Sequence, residues 1–297
     1  MARCRRRSAS CVPALAALAL LLPPTVAYAV QLPPPTVTPG AAEVSIHYQI
    51  HGTLAVDRPL VVLVHGWSCD SSYWREQLPA LLSDHDVVTL DLAGHGASAD
   101  GRDEFSMRSF GEDVQRVVAA LPTRAPVILV GHSMGGPVAA EAARLLGARV
   151  RAVIGVDTFS TIGRPAPPPA ETAARLALFE RDFVGTTRLF VDNTFFRPDA
   201  DPKLRRWIVE DMAQGNPRVG IAAVRELNAW DGVAVLRELS VPVIAINSDR
   251  SRIDEARIRT LLPNFRLRVL EGTAHFLMLE EPARFNEALL EELMRLR

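Results

Sequence analysis

A serine between two glycines lies where a short apolar run meets a helix-forming segment. Residues 131–135 read Gly-His-Ser-Met-Gly, the pattern Gly-x-Ser-x-Gly with Ser133 at its centre. A chain that turns sharply from strand to helix needs small residues on both sides of the turn, and it exposes the central hydroxyl. The sequence therefore predicts Ser133 as the nucleophile of an acyl-transfer reaction.

A serine hydroxyl is a weak nucleophile at neutral pH, so it needs a base that takes its proton and an acid that orients the base. His275 is the predicted base. It follows the strand-like run 265–270 in a loop and precedes the last helical segment. The remaining histidines have structural interpretations, and His65 is expected to brace its own loop.

Two aspartates compete for the role of the acid. Asp249 follows the apolar run 241–246 and is the preferred prediction. Asp157 ends the run 150–156, from which a carboxylate could approach the same imidazole from the neighbouring strand, and it stays as the alternative. Asp254 lies just before a helical segment, where aspartate commonly caps a helix, and is assigned that role.

Acyl transfer also needs hydrogen-bond donors aimed at the developing oxyanion. The backbone N–H of Met134, directly after the nucleophile, is one predicted donor. The N–H of Trp67 is the other, because it lies in the loop after the apolar run 60–64. Gly66 would let the backbone approach the substrate closely.

Strand-like and helix-like segments alternate along most of the chain. This alternation predicts an α/β fold with a mostly parallel central sheet and helices on both faces. Its two parts, 42–159 and 236–297, form the predicted core. Residues 160–235 interrupt the alternation and are expected to form an inserted helical cap. The cap is rich in aromatic residues, namely Phe179, Phe183, Phe190, Phe195, Phe196, Trp207 and Trp230.

The N-terminal residues 1–29 differ in composition from the rest. Four arginines precede an apolar run that reaches Ala27-Tyr28-Ala29, which is typical of a secretory signal peptide cleaved after Ala29. The run is too short to span a membrane, so we expect no stable span after cleavage and an exported protein, periplasmic or secreted. Residues 30–41 form a Pro-rich linker.

Charge and cysteine content limit the partners. Cleavage would remove four of 33 basic residues and none of 34 acidic residues, leaving a formal charge of −5. This charge does not favour nucleic acid as a partner, and a small-molecule substrate is expected. Cys69 would be the only cysteine left, interpreted as an inert thiol, and no histidine or cysteine cluster suggests a metal or other cofactor. The sequence leaves the oligomeric state open.

Several motifs together resemble the α/β-hydrolase superfamily over nearly all of residues 42–297. They are His65-Gly66-Trp67, residues 91–98 (Asp-Leu-Ala-Gly-His-Gly-Ala-Ser), residues 131–135, Gly272 to His275, and Glu280-Glu281-Pro282. The resemblance implies the roles given above for Ser133, His275, Trp67 and Met134, and it implies loop-structural roles for Asp91 and His95. Residues 247–249 form a tighter turn than the family's Gly-x-x-Asp, which leaves the identity of the acid open.

The predicted function is that of a serine hydrolase that cleaves a carboxylic ester or thioester through an acyl-enzyme. Carbon-carbon bond hydrolysis and perhydrolysis are alternatives that use the same three residues, and a non-catalytic ligand-binding protein of the same fold is a further alternative. The aromatic cap suggests a small hydrophobic substrate, although the same side chains could simply pack the cap against the core.

Overall fold

The structure is a computed structural model that describes Met1 and residues 44–56, 58–165 and 167–296. Except for Met1, the predicted signal peptide (1–29) and linker (30–41) lie outside the described residues, so these predictions stay as they are. The strands and helices below all lie in one compact unit, Gln31–Arg297.

A seven-stranded sheet forms the centre of the fold, in the order β1-β3-β2-β4-β5-β6-β7. β1 pairs antiparallel with β3, and every other neighbouring pair is parallel. The predicted mostly parallel sheet is confirmed. The strands are β1 Tyr48–His51, β2 Leu60–Val64, β3 Asp86–Leu90, β4 Val127–His132, β5 Val150–Val156, β6 Val243–Ser248 and β7 Phe265–Leu270.

The central strands are buried on both faces. Every residue of β2, β3, β4 and β6 is buried, which explains their continuous apolar runs. Helices cover both faces, as parallel strands joined by crossovers require. The helices are α1 Leu78–Leu81, α2 Met107–Ala120, α3 Gly135–Leu146, α4 Pro169–Arg181, α5 Phe183–Thr194, α6 Pro202–Ala213, α7 Pro217–Ala229, α8 Gly232–Arg237, α9 Glu255–Leu261, α10 Leu277–Glu280 and α11 Pro282–Met294.

Polar side chains begin many of these helices. Ser106 accepts a hydrogen bond from the Ser109 N–H at the start of α2, and Asp231 accepts one from the Ala234 N–H at the start of α8. The Asp254 carboxylate accepts a hydrogen bond from the Arg257 N–H at 3.0 Å, so its predicted role as the cap of α9 is confirmed.

Helices α4 to α8 lie between β5 and β6 in the chain, within the segment that breaks the alternation of strands and helices. Their position means that this segment is inserted between two strands that are direct neighbours in the sheet. The carboxyl ends of β5 and β6 are therefore close together, although 86 residues separate Val156 from Val243. None of the helices in the described part of the chain is long and apolar enough to cross a membrane.

Candidate active site

Ser133 lies in a sharp turn between β4 and α3. Its φ of 51° is in the left-handed region, which a side chain other than glycine rarely adopts. A Cβ at Gly131 would lie 2.0 Å from the Gly135 carbonyl oxygen, and a Cβ at Gly135 would lie 2.4 Å from the Val64 carbonyl oxygen. The Ser133 N–H donates to the Val156 carbonyl at 2.9 Å, which fixes the turn to the end of β5.

The imidazole of His275 is hydrogen-bonded to Asp157. The Nδ1 atom lies 2.7 Å from the Asp157 Oδ2. A carboxylate can only accept here, so Nδ1 is the donating nitrogen and Nε2 is left for another partner. His275 and Ser133 line the same cavity, which makes Nε2 available as a base for the serine hydroxyl.

Four donors converge on the Asp157 carboxylate. Its Oδ1 accepts from the Ser248 N–H at 2.8 Å and from the Ser248 hydroxyl at 2.7 Å. Its Oδ2 accepts from the Ser251 hydroxyl at 2.8 Å as well as from His275. Burial raises the pKa of this carboxyl, but the hydrogen bonds from His275 and Ser248 and the His275 charge outweigh burial and hold the pKa below its ordinary value. Asp157 is therefore ionised at neutral pH.

Asp249, the preferred acid in the sequence analysis, is not the partner of His275. Its carboxylate faces Arg197, with 3.3 Å between Oδ1 and the guanidinium, and about a third of each side chain is exposed. The end of β6 and the turn after it instead supply Ser248 and Ser251, which bind the carboxylate of Asp157, the residue directly after β5. The structure thus corrects the choice in favour of the alternative, Asp157, because adjacent parallel strands end side by side and either could deliver an acid.

The backbone and ring of His275 are held on several sides. Its N–H donates to the Phe195 carbonyl at 3.2 Å, and its carbonyl accepts from His132 Nε2 at 2.8 Å. The Phe195 ring stacks on the imidazole, with 4.1 Å between centroids. The two oxygens of Glu280 accept from the N–H groups of the residues before and after His275. These contacts restrict the orientation of the base before any substrate arrives.

The two predicted oxyanion donors are the N–H groups of Met134 and Trp67, which directly follow Ser133 and Gly66. Met134 precedes α3, where unpaired N–H groups and the helix dipole favour negative charge. In the turns and loops that the structure describes, neither the Met134 nor the Trp67 N–H donates to a backbone carbonyl. Gly66 lies against this turn, because a Cβ there would be 3.3 Å from the Ser133 Cβ.

His65 and Asp91 stabilise the loops around Trp67, as predicted from the sequence. His65 Nδ1 lies 2.7 Å from the Gly66 carbonyl, and its Nε2 accepts from the Leu92 N–H at 2.9 Å. Asp91 accepts from the N–H groups of Ser71 and Ala97 at 2.8 and 2.9 Å. Both side chains are buried and serve the loops, in agreement with the sequence analysis.

A cavity of about 720 Å³ opens over Ser133 and His275. Its wall is mixed, with Phe159, Phe195 and Trp230 beside hydroxyls and three arginines. Most of the cap aromatics lie elsewhere, because Phe179, Phe183 and Phe190 pack around the Trp67 indole with centroid distances of 5.6 to 6.3 Å. The Trp67 Nε1–H also donates to the Gly220 carbonyl in α7 at 2.8 Å. These three phenylalanines therefore attach α4 and α5 to the Trp67 loop. Of the aromatic residues of the segment 160–235, Phe195 and Trp230 line the cavity.

Cys69 is buried and its thiol lies 3.3 Å from the Trp67 carbonyl. Burial raises the pKa of this thiol well above its ordinary value, so the reactive thiolate is disfavoured. Among the residues that the structure describes, no group of three or more His, Cys, Asp or Glu side chains could hold a metal ion.

The residues that position the Asp157 carboxylate were not predicted from the sequence. Besides Ser248 and Ser251, the Asn247 side chain binds the loop after β5, accepting from the Thr158 N–H at 3.2 Å and donating to the Thr158 carbonyl at 2.9 Å. Asn247 and Ser248 are buried polar residues at the end of an otherwise apolar strand. Such residues need hydrogen-bond partners, and this was the available signal that β6 supports a carboxylate rather than carrying one.

Comparison with known proteins shows the family to which the chain belongs. The model of the Alpha/beta hydrolase family matches residues 61–288, and the chain belongs to that family. A putative carbamate hydrolase RutD of Stutzerimonas stutzeri is 26% identical over 84% of this chain and 96% of its own length. A pimeloyl-[acyl-carrier protein] methyl ester esterase of Nitrosomonas europaea is 26% identical over 81% of this chain and 96% of its own length.

Solved structures show the same fold. A thermophilic esterase from Thermogutta terrifontis superposes with a TM-score of 0.74 at 24% identity, over 88% of this chain and 97% of that one. The family and its relatives together support hydrolase activity.

Proposed function

We propose that this protein is a serine hydrolase that cleaves a carboxylic ester or thioester of a small molecule through an acyl-enzyme on Ser133. One observation carries the proposal. The Asp157 carboxylate binds His275 Nδ1 at 2.7 Å, which leaves Nε2 free to accept a proton in a cavity that Ser133 also lines. The related methyl ester esterase is consistent with ester cleavage.

In the proposed mechanism, the Ser133 oxygen attacks the acyl carbon while its proton passes to His275 Nε2. The N–H groups of Trp67 and Met134 stabilise the resulting oxyanion. The protonated imidazole then gives its proton to the departing alkoxide or thiolate, and the acyl group stays on Ser133. Water attacks the acyl-enzyme, loses a proton to Nε2, and the proton returns to the serine oxygen as the carboxylic acid leaves. Asp157 stays ionised throughout and stabilises the imidazolium.

A fluorophosphonate probe and p-nitrophenyl butyrate test this proposal. We expect the probe to label the protein on Ser133 and the ester to be hydrolysed. Ser133→Ala should abolish labelling and lower kcat by at least about a thousandfold. Ser160→Ala is the matched control, since Ser160 lines the same cavity but has no part in the mechanism. Full activity in Ser133→Ala, or labelling of folded wild type at another residue only, would contradict the proposal.

We also propose that the protein is exported and that residues 1–29 are removed. The arginines, the short apolar run and the small residues at 27 and 29 support this. Expression of the whole chain in a bacterial host with two membranes, followed by fractionation and N-terminal sequencing, should give periplasmic or secreted protein that begins at Val30. Recovery of an intact N-terminus in the cytoplasm would contradict it.

A further inference from the structure

The cavity over Ser133 receives three arginines from three separate segments of the chain. Arg164 comes from the loop after β5, Arg175 from α4 of the cap, and Arg250 from the turn after β6. Like charges that converge on one cavity repel each other, and they raise the local concentration of anions. Arg164 and Arg250 come from the same segments as Asp157 and the serines that bind it.

The negative charges of the same wall are few and already engaged. Asp157 is bound by His275 and two serines, as described above. Asp231 also lines the cavity, and one of its oxygens caps α8. Glu171 does not line the cavity, and it forms an ion pair with Arg175 at 3.0 Å on the exposed side of α4. Among the described residues, no carboxylate forms an ion pair with Arg164 or Arg250. The guanidiniums of these two residues are therefore available to bind an anionic group of a ligand.

The position of Arg250 is the most informative. It lies between Ser248 and Ser251, whose hydroxyls bind the two oxygens of the catalytic carboxylate at 2.7 and 2.8 Å. The backbone of Arg250 is therefore fixed beside the acid, and the residue lines the cavity, is exposed, and has no ion-pair partner among the described residues. Arg164 is oriented by the same region, because its guanidinium donates to the Arg252 carbonyl at 3.0 Å.

We propose that these arginines form an anion subsite and that the substrate is an ester or thioester carrying a carboxylate away from the scissile bond. The proposal rests on the proposed function and narrows its substrate class. A guanidinium binds a carboxylate through two parallel hydrogen bonds, which gives direction as well as attraction. It also replaces the expectation of a hydrophobic substrate with that of a substrate having one anionic end.

Two pairs of esters test the subsite, one for each side of the scissile bond. The acyl pair is mono-p-nitrophenyl glutarate against p-nitrophenyl pentanoate, and the alcohol pair is 3-carboxyphenyl butyrate against 3-carbamoylphenyl butyrate. Within each pair the size is similar and only one member is anionic. We expect wild type to prefer the anionic member of at least one pair by about tenfold in kcat/KM, after subtraction of uncatalysed hydrolysis, as a charge-assisted hydrogen bond predicts. Added salt should reduce this preference.

Arg250→Gln should remove most of the preference by raising KM for the anionic ester, and Arg250→Lys should restore part of it. The neutral ester should keep its kcat, which reports that the turn holding Asp157 is intact. Arg259→Gln is the control, because it removes the same charge from the exposed face of α9, outside the cavity.

The outcomes separate the two proposals. Wild type that cleaves the neutral esters with no anionic preference in either pair would overturn the subsite and leave the proposed function intact. An equal loss in Arg250→Gln and Arg259→Gln, or an equal loss on both members of a pair, would also overturn the subsite. Wild type that cleaves none of the four esters would overturn the proposed function.

Discussion

At the scale of single residues, the site depends on how fully the Asp157 carboxylate is satisfied. Each oxygen accepts two hydrogen bonds, at 2.7 to 2.8 Å, from Ser248, Ser251 and His275. A buried carboxylate that lacked these donors would become protonated. Because the donors keep it charged, it can hold His275 in one tautomer, and in the proposed mechanism it stabilises the imidazolium that forms when Ser133 loses its proton.

Exchange of the two candidate acids for amides should separate them. In Asp157→Asn an amide faces His275, the imidazole loses its charged partner and can adopt the wrong tautomer, and kcat should fall by about 10² to 10⁴-fold. In Asp249→Asn only an ion pair with Arg197, about a third exposed, is lost, and kcat should change less than about threefold. Turnover of p-nitrophenyl butyrate measures both, with thermal unfolding to check that each variant is folded. A crippled Asp249→Asn beside an active Asp157→Asn would reverse the assignment.

At the scale of elements, the site lies where the carboxyl ends of neighbouring parallel strands come together. Ser133 lies in the turn after β4, Asp157 directly follows β5, and β6 ends in Ser248, which binds the Asp157 carboxylate. Parallel neighbours deliver their carboxyl ends to one edge of the sheet, so three remote segments meet there without a long loop. The close contacts of Gly131 and Gly135 with neighbouring backbone show how tightly the first of these turns is packed.

Substitution of Gly135 tests that packing. A Cβ there would lie 2.4 and 2.5 Å from the carbonyl oxygens of Val64 and His65, which are backbone atoms of β2 and its loop and cannot rotate away. We expect Gly135→Ala to lower the free energy of unfolding by about 1 to 3 kcal/mol or more, as overpacking does. Activity should fall as well, because the Trp67 loop follows His65. Urea unfolding gives the free energy.

Gly101→Ala is the matched control, because a Cβ at Gly101 meets no atom within 4 Å. Its free energy of unfolding should stay within about 0.5 kcal/mol of wild type. Equal stability of the two variants would mean that the turn is looser than the contacts at Gly135 imply.

At the scale of the whole molecule, periodicity predicts which segments form the sheet, and it cannot predict which strand ends touch. The runs 60–64 and 150–156 are strands over those same residues, because a strand buried on both faces is almost continuously apolar. The run 265–270 is also a strand over those residues, but it lies at the edge of the sheet and is only partly buried. The turn that holds Ser133 was predictable, because a Gly-x-Ser-x-Gly motif between an apolar run and a helix-forming segment demands a special backbone. The catalytic roles of Ser133 and His275 stay predictions. The partner of His275 could not be predicted from sequence, because an aspartate follows both β5 and β6. Only the positions of the side chains in the folded protein show which of the two contacts the imidazole.

The interior of the molecule also holds histidines that resist protonation. Burial, together with the neighbouring His65, lowers the pKa of His95 to about 3. Burial and the adjacent His275 lower the pKa of His132 to about 3. In the unfolded chain both titrate near the ordinary value of about 6.5. Between these values the unfolded chain binds protons that the folded protein does not, so acid favours unfolding.

This difference predicts the direction and slope of the pH dependence of stability. The stabilisation is complete above about pH 6.5 and is lost progressively as the pH falls towards 3, at about 1.4 kcal/mol per pH unit for each of the two histidines. His95→Gln removes one titrating group and keeps a donor for the Ala93 carbonyl, which His95 Nδ1 approaches at 3.1 Å. Urea unfolding between pH 8 and pH 4 should therefore give wild type the steeper fall below pH 6, by about 1.4 kcal/mol per unit. Above pH 7 the free energies of unfolding of wild type and His95→Gln should have the same slope, which serves as the internal control. Parallel curves over the whole pH range would show that His95 is protonated in the folded protein as easily as in the unfolded chain.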